Sequence, residues 1–148
     1  MKLPGSSTRT FVVFPLAVAA FELAVRKNYD LQPYWAALMG WGYLQYELVG
    51  RYRLRLGGGG PGMEKPPEQL VTGGPYAWTR NPMYLGHLIF LAGLALTFQS
   101  LFAAALLVFS LFYFQDRVRR DERRLADRFG EAYLRYKNHV KRWVPYLF

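Results

Sequence analysis

Leu70–Gly86 reads LVTGGPYAWTRNPMYLG: a glycine-proline turn, three aromatic rings and one arginine set directly before an apolar segment. Asn81 is a favoured helix N-cap. Pro82 at the first helical position gives up no N–H that the helix needs and brings a preset φ. A helix start exposes unpaired N–H groups and a partial positive charge, so it suits an anionic ligand group. Arg80 sits just outside it, and Tyr84 and His87 follow at helical spacing on one face. This describes a polar site at the mouth of a membrane helix.

The 148 residues allow one domain and little more. Hydrophobic residues make up 52% and charged residues 20%, and the two are segregated along the chain. Four segments are nearly free of charge: about Phe11 to Val25, about Tyr34 to Val49, one from Pro82, and one from Leu101. Each is somewhat shorter than the ~20 residues of a full span. Aromatic ends such as Tyr34, Trp35, Phe112 and Tyr113 extend them into the interface. A soluble bundle would have to hide four almost uncharged helices inside a small protein, which is geometrically hard. The expected fold is therefore an all-α integral membrane protein with about four transmembrane helices. The last two form a hairpin about Gln99-Ser100 that continues into a cytoplasmic amphipathic helical tail. The first apolar run has no clear small-residue cleavage site after it, so no signal peptide is expected.

Charge placement sets the orientation. With a cytoplasmic N-terminus, seventeen of the nineteen Lys and Arg residues fall inside, and only Arg26 and Lys27 fall outside. The positive-inside rule then puts both termini and the long loop in the cytoplasm. The net charge of +9 is better matched by a lipid surface than by nucleic acid, given the apolar segments. No cysteine and only two histidines speak against a metal site.

The chain reads as one membrane domain: two N-terminal helices over residues 1–56, a flexible loop over 57–69, and a ligand-binding half over 70–148. Gly57–Gly60 lacks the strand and helix that a phosphate-binding loop requires, and Pro61 and Pro66-Pro67 suit a connector. Arg51, Arg53 and Arg55 read as topology charges touching headgroups. After the fourth segment the helix is expected to run unbroken to a stop at Gly130. A second basic, aromatic stretch with Tyr133, Tyr136 and Trp143 then rests on the membrane surface and runs to Pro145. Asp127, Glu131 and Arg135 read as surface pairs.

A hairpin about Gln99-Ser100 makes Arg80 and Glu122 neighbours. Two readings stay open there. They are opposite walls of a pocket for a zwitterionic ligand, ringed by Tyr and Trp, or they simply pair with each other. His87 is read as a hydrogen-bonded intramembrane residue ahead of a catalytic base, and Glu47 as the i, i+4 partner of Arg51. Glu22 is an intramembrane carboxylate of open role.

Two motifs now carry a resemblance: LVTGGPYAWTRNPMYLG, and DERRLADRFGEAYLRYKNHV after the hairpin. Together they are similar to the isoprenylcysteine carboxyl methyltransferases and their prokaryotic relatives, with phospholipid N-methyltransferases as more distant members. The resemblance covers roughly Leu70 to Pro145. The family's arginine-histidine-proline-x-tyrosine-x-glycine motif appears as Arg80, Asn81, Pro82, Tyr84 and Gly86. Its paired acids appear as Asp121 and Glu122, and its phenylalanine-glycine-x-x-tyrosine-x-x-tyrosine as Phe129, Gly130, Tyr133 and Tyr136. Asn81 stands where the eukaryotic members have histidine, and His139 where they have a basic residue.

The resemblance implies an integral membrane enzyme using S-adenosylmethionine, released as S-adenosylhomocysteine, with no metal. The implied cofactor-binding residues are Tyr76, Arg80, Asn81, Tyr84, Leu85, Gly86, Glu122, Tyr133 and Tyr136, and the implied catalytic pair is Arg80 and Glu122. The expected reaction is methyl transfer to a small lipophilic acceptor of isoprenylcysteine-carboxylate type that enters from the bilayer. The alternatives are N-methylation of a phospholipid or lipophilic amine, which needs a base such as a carboxylate or His87, and a non-catalytic membrane scaffold.

Overall fold

The computed structural model describes residues 5–25, 31–60 and 65–143. The residues Lys2, Arg26, Lys27, Pro61 and Pro145, on which the orientation and connector expectations drew, lie outside the described residues. Every described element is helical. We label them α1 (Ser6–Val25), α2 (Ala36–Gly57), α3 (Pro82–Phe98), α4 (Leu101–Phe129) and α5 (Glu131–His139). Short 3-10 turns at Pro33–Trp35 and Gly74–Ala77 precede α2 and α3.

Helices α1 and α4 are long and apolar enough to cross a membrane, and α3 is a shorter apolar helix. Only 17% and 22% of the apolar windows of α1 and α4 are buried within the protein. The core helix of a soluble protein would be mostly buried. Here Leu16, Phe21 and Leu23 on α1, and Leu101, Phe109 and Phe112 on α4, are exposed, which suits a lipid solvent.

Helix α4 runs unbroken to Phe129, as the sequence predicts, and stops at Gly130, whose φ of +54° glycine adopts without strain. Helix α2 continues eight residues past Val49 and carries Arg51, Arg53 and Arg55 within the helix. Arginine and leucine are good helix formers, so the pattern holds until Gly58 turns to φ +65° and its N–H closes on the Leu54 carbonyl at 3.1 Å.

The chain divides into two compact units, Met1–Leu44 with Gly86–Phe112, and Gln45–Leu85 with Tyr113–Phe148. In the first, Val18, Phe90, Leu91, Leu94 and Ala103 form the core. Helix α1 widens into a π turn at Arg9–Val13, and Phe11 there packs on Tyr43, His87 and Phe90 with ring centroids 4.6–5.2 Å apart. The α3–α4 connection closes through the Ser100 N–H on the Ala95 carbonyl at 3.1 Å. Ser100 Oγ then accepts from the Ala103 N–H at 3.1 Å as the α4 cap.

Helices α2 and α3 touch backbone to backbone. A Cβ at Gly42 would lie 2.5 Å from the Phe90 nitrogen and 2.6 Å from the Gly86 carbonyl oxygen. One at Gly93 would lie 2.7 Å from the Met39 nitrogen. Small residues at a helix crossing permit this approach. Gly40, two residues before Gly42 on the same helix, meets nothing within 4 Å.

In the second unit Tyr46, Val49, Val71, Met83, Phe114, Val118 and Tyr133 are buried. Gln45 Nε2 donates to the Pro82 carbonyl at 2.9 Å, tying α2 to the start of α3.

The Gly42 contact is testable. Gly42→Ala forces two backbones apart and should cost about 2 kcal/mol, lowering the melting temperature in detergent by roughly 4–8 °C. Gly40→Ala should leave it unchanged or raise it, and equal losses at both positions would refute the close crossing.

Candidate active site

The site lies wholly in the second unit and is built around the first turn of α3. The Asn81 carbonyl accepts from the Leu85 N–H at 3.0 Å, so Asn81 holds the N-cap position expected of it. Its side chain does not cap. Asn81 Nδ2 donates to the Arg142 carbonyl at 3.1 Å, and Thr79 Oγ1 accepts from the Asn81 N–H at 3.2 Å. The returning chain after α5 explains the difference. Thr79 Oγ1 also donates to the Arg142 carbonyl, and the Arg80 N–H donates to the Lys141 carbonyl.

Arg80 and Glu122 meet directly. Arg80 Nη2 lies 2.9 Å from Glu122 Oε1, and the two side chains are 8% and 7% exposed. Arg80 Nη1 donates to the Lys137 carbonyl at 2.7 Å, which fixes the guanidinium between α4 and α5. Arg142 reaches the same carboxylate, Nε to Oε1 at 3.1 Å and Nη2 to Oε2 at 2.7 Å. Glu122 thus serves two arginines. Its hydrogen bonds hold the Arg142 pKa above the ordinary guanidinium value.

A second polar chain borders the first. Tyr84 donates to Asp121 Oδ2 at 2.5 Å, and Arg117 Nε donates to the Tyr84 oxygen at 3.1 Å.

Arg80, Asn81, Tyr84, Asp121 and Glu122 line a pocket of about 850 Å³ counting its open mouth. Tyr76, Tyr133 and Tyr136 supply rings to it. Tyr136 donates to the Tyr76 carbonyl at 2.6 Å. Burial pushes the Tyr76 phenol up to about 12, with nearby Arg53 opposing the shift. Burial raises Tyr133 and Tyr136 as well, with Glu122 adding to the shift at Tyr133 and Tyr76 at Tyr136. All three stay protonated donors at neutral pH.

Of the residues singled out in the sequence, Tyr76, Arg80, Asn81, Tyr84, Glu122, Tyr133 and Tyr136 line this pocket. Leu85 and Gly86 do not, and Gly86 instead offers its carbonyl where Gly42 passes. His87 and Glu22 are buried in the first unit and are not part of this lining. Glu47 pairs with Arg51 and Glu131 with Arg135, each at 3.6 Å, as surface pairs.

Sequence reasoning missed three cations. Arg53, read as a headgroup contact, is buried in the pocket wall, where Nη2 and Nη1 donate to the Gly60 and Lys65 carbonyls at 2.9 and 3.0 Å. Arg142 and Arg117 carry no motif, and only the chain's return shows what they touch. Among the described residues no cluster of three or more His, Cys, Asp or Glu suits a metal ion.

Comparison with known proteins agrees with this architecture. The family model described as phospholipid methyltransferase matches residues 59–132, half of the chain. The protein-S-isoprenylcysteine O-methyltransferase of Saccharomyces cerevisiae is 34% identical over 79 residues, covering 53% of this chain and 33% of that protein. Its Homo sapiens counterpart is 33% identical over 79 residues, covering 53% and 28%. The chain spans about a third of the length of the curated relatives it matches. The solved structure of the eukaryotic intramembrane Ras methyltransferase ICMT superposes with a TM-score of 0.66 at 22% identity, over 98% of this chain and 55% of that one. The fold is shared.

Two outcomes follow. Glu122→Gln leaves two guanidiniums without their counter-charge and should cost about 3 kcal/mol, read as a lower melting temperature in detergent. A change within error would contradict the double pairing. For Tyr76 the folded pKa lies above the ordinary phenol value of 10.0, so its contribution to stability is present below pH 10 and is lost as pH rises toward about 12. Tyr76→Phe should soften the fall in stability between pH 10 and 12, and an unaltered pH profile would count against the burial of this phenol.

Proposed function

Because the chain belongs to the phospholipid methyltransferase family, we propose that it transfers a methyl group from S-adenosylmethionine to a small lipophilic acceptor bearing a carboxylate, of isoprenylcysteine type. The observation that carries this reading is the charge of the pocket. Arg53, Lys65, Arg80 and Arg124 line it against only two carboxylates, Asp121 and Glu122. Both carboxylates are already engaged, one by Tyr84 and one by two arginines. Such a pocket favours ligands with an anionic end.

The residues present fit the cofactor. Arg80, nine-tenths buried and with no hydrogen-bond partner for its Nε among the described residues, suits a carboxylate. Tyr76, Tyr133 and Tyr136 suit a planar base and a sulfonium cation. When bound, S-adenosylmethionine supplies a methyl group on a positively charged sulfur, open to attack by an anion. The chain's own part is then positioning and exclusion of water. Pro66, Pro67, Leu70 and Val71 form an apolar wall that raises the nucleophilicity of a desolvated anion.

An amine acceptor would need a base to take its proton. Neither pocket carboxylate is disposed to act as one, since protonating Glu122 would strand Arg80 and Arg142, and Asp121 already accepts from Tyr84. O-methylation is favoured on that ground. The cationic loop and tail also suit a cytoplasmic face, with four spans and both termini inside. S-Adenosylmethionine is made in the cytoplasm. The bilayer is the chain's surroundings and the route by which a lipophilic acceptor arrives.

S-Adenosylhomocysteine should raise the melting temperature of the purified protein by mass action. Arg80→Ala should cut that shift by more than half. Labelled methyl should pass to prenylcysteine analogues rather than to phosphatidylethanolamine. No shift at saturating ligand would contradict the cofactor assignment, and labelled phosphatidylethanolamine would contradict the acceptor class.

A further inference from the structure

We propose that Arg142 is a positioning residue that sets the charge at the carboxylate-binding end of the pocket and so decides how strongly the protein favours a ligand that carries a carboxylate. The inference rests on the reading of this pocket as the S-adenosylmethionine site.

Arg142 is not in the pocket lining, yet it is placed with care. Its carbonyl accepts from Thr79 Oγ1 at 3.0 Å and from Asn81 Nδ2 at 3.1 Å. On either side, the Lys141 carbonyl accepts from the Arg80 N–H at 2.9 Å, and Trp143 Nε1 donates to Gln115 Oε1 at 2.7 Å. These bonds pin the backbone on the lead-in to α3 and anchor the next side chain on α4. The guanidinium is thereby aimed at Glu122, which it grips by both oxygens.

The consequence is electrostatic. Arg80 and Glu122 alone would form a neutral pair, with Glu122 free to offer oxygens to a ligand's ammonium group. With Arg142 added, two guanidiniums share one carboxylate, and the cluster carries a net charge of +1. Arg80 and Glu122 are both more than nine-tenths buried, so that charge acts at reduced dielectric. Arg80 faces the pocket and Arg142 does not, so the excess charge is felt by a ligand through Arg80. Arg142 acts on the ligand only through Glu122.

Lysine at this position keeps the charge and loses the bidentate grip, whereas glutamine loses both. The two variants separate charge from shape. The probes are S-adenosylhomocysteine and its decarboxylated analogue, which differs only by the missing carboxylate, measured by calorimetry on the full chain in detergent. Wild type should bind S-adenosylhomocysteine more tightly than the analogue. Arg142→Gln should shrink that ratio roughly tenfold, on the scale of ~1.4 kcal/mol, and Arg142→Lys should retain most of it. A ratio unchanged in Arg142→Gln, or lost equally in both variants, overturns the proposal. Unliganded melting temperatures identify a variant that has merely unfolded, and the lysine variant then decides alone. If wild type binds neither probe, the cofactor reading itself fails and takes this inference with it.

Discussion

One buried carboxylate holds the site together. Glu122 lies on α4 well beyond its apolar stretch and answers Arg80 at the start of α3 and Arg142 after α5. A carboxylate this buried is stable only when its charge is met by partners with good geometry. That requirement binds three separate parts of the chain. The α3–α4 connection must bring residues 80 and 122 within 3 Å, and the chain after α5 must return to the same spot. Backbone bonds from Thr79, Arg80 and Asn81 to residues 141 and 142 make the return definite.

Around that carboxylate the elements divide their work. The first turn of α3 contributes Tyr84, with Arg80 just before it, and α4 contributes Asp121 and Glu122. Helix α5 is short, but Tyr133 and Tyr136 on it complete the ring of phenols. Helix α2 supplies Arg53, whose guanidinium bonds the carbonyls of Gly60 and Lys65 and so secures the wall formed by Pro66 and Pro67. Protonated tyrosines, paired carboxylates and an excess of arginine make a pocket that binds and orients an anion better than it removes a proton.

The sequence was legible where local chemistry dictates structure. Pro82 after Asn81 starts a helix, Gly130 ends one, and an uninterrupted pattern from Leu101 makes α4 a single rod. The Arg80–Glu122 encounter was also within reach, because a hairpin about Gln99-Ser100 fixes which residues of its two arms face each other. Arg142 and Arg53 were not. Each sits in a run of basic residues that looks like an ordinary solvated or lipid-facing face, and what it pairs with depends on where the chain returns, which no periodicity encodes. The close α2–α3 crossing at Gly42 and Gly93 was hidden for a related reason. A glycine in an apolar helix announces small size but not which backbone will fill the space. Asn81 was half legible: its backbone caps as propensity dictates, and its side chain follows Arg142 instead.

What occupies the pocket beside Glu122 decides the function. An experimental structure of the protein with S-adenosylhomocysteine, determined in lipid, tests this most directly. The ligand should lie among Tyr76, Tyr133 and Tyr136, its carboxylate within hydrogen-bond distance of Arg80, with Arg142 still paired to Glu122. Density for the ligand elsewhere, or its ammonium group on Glu122 with Arg142 displaced, would contradict it.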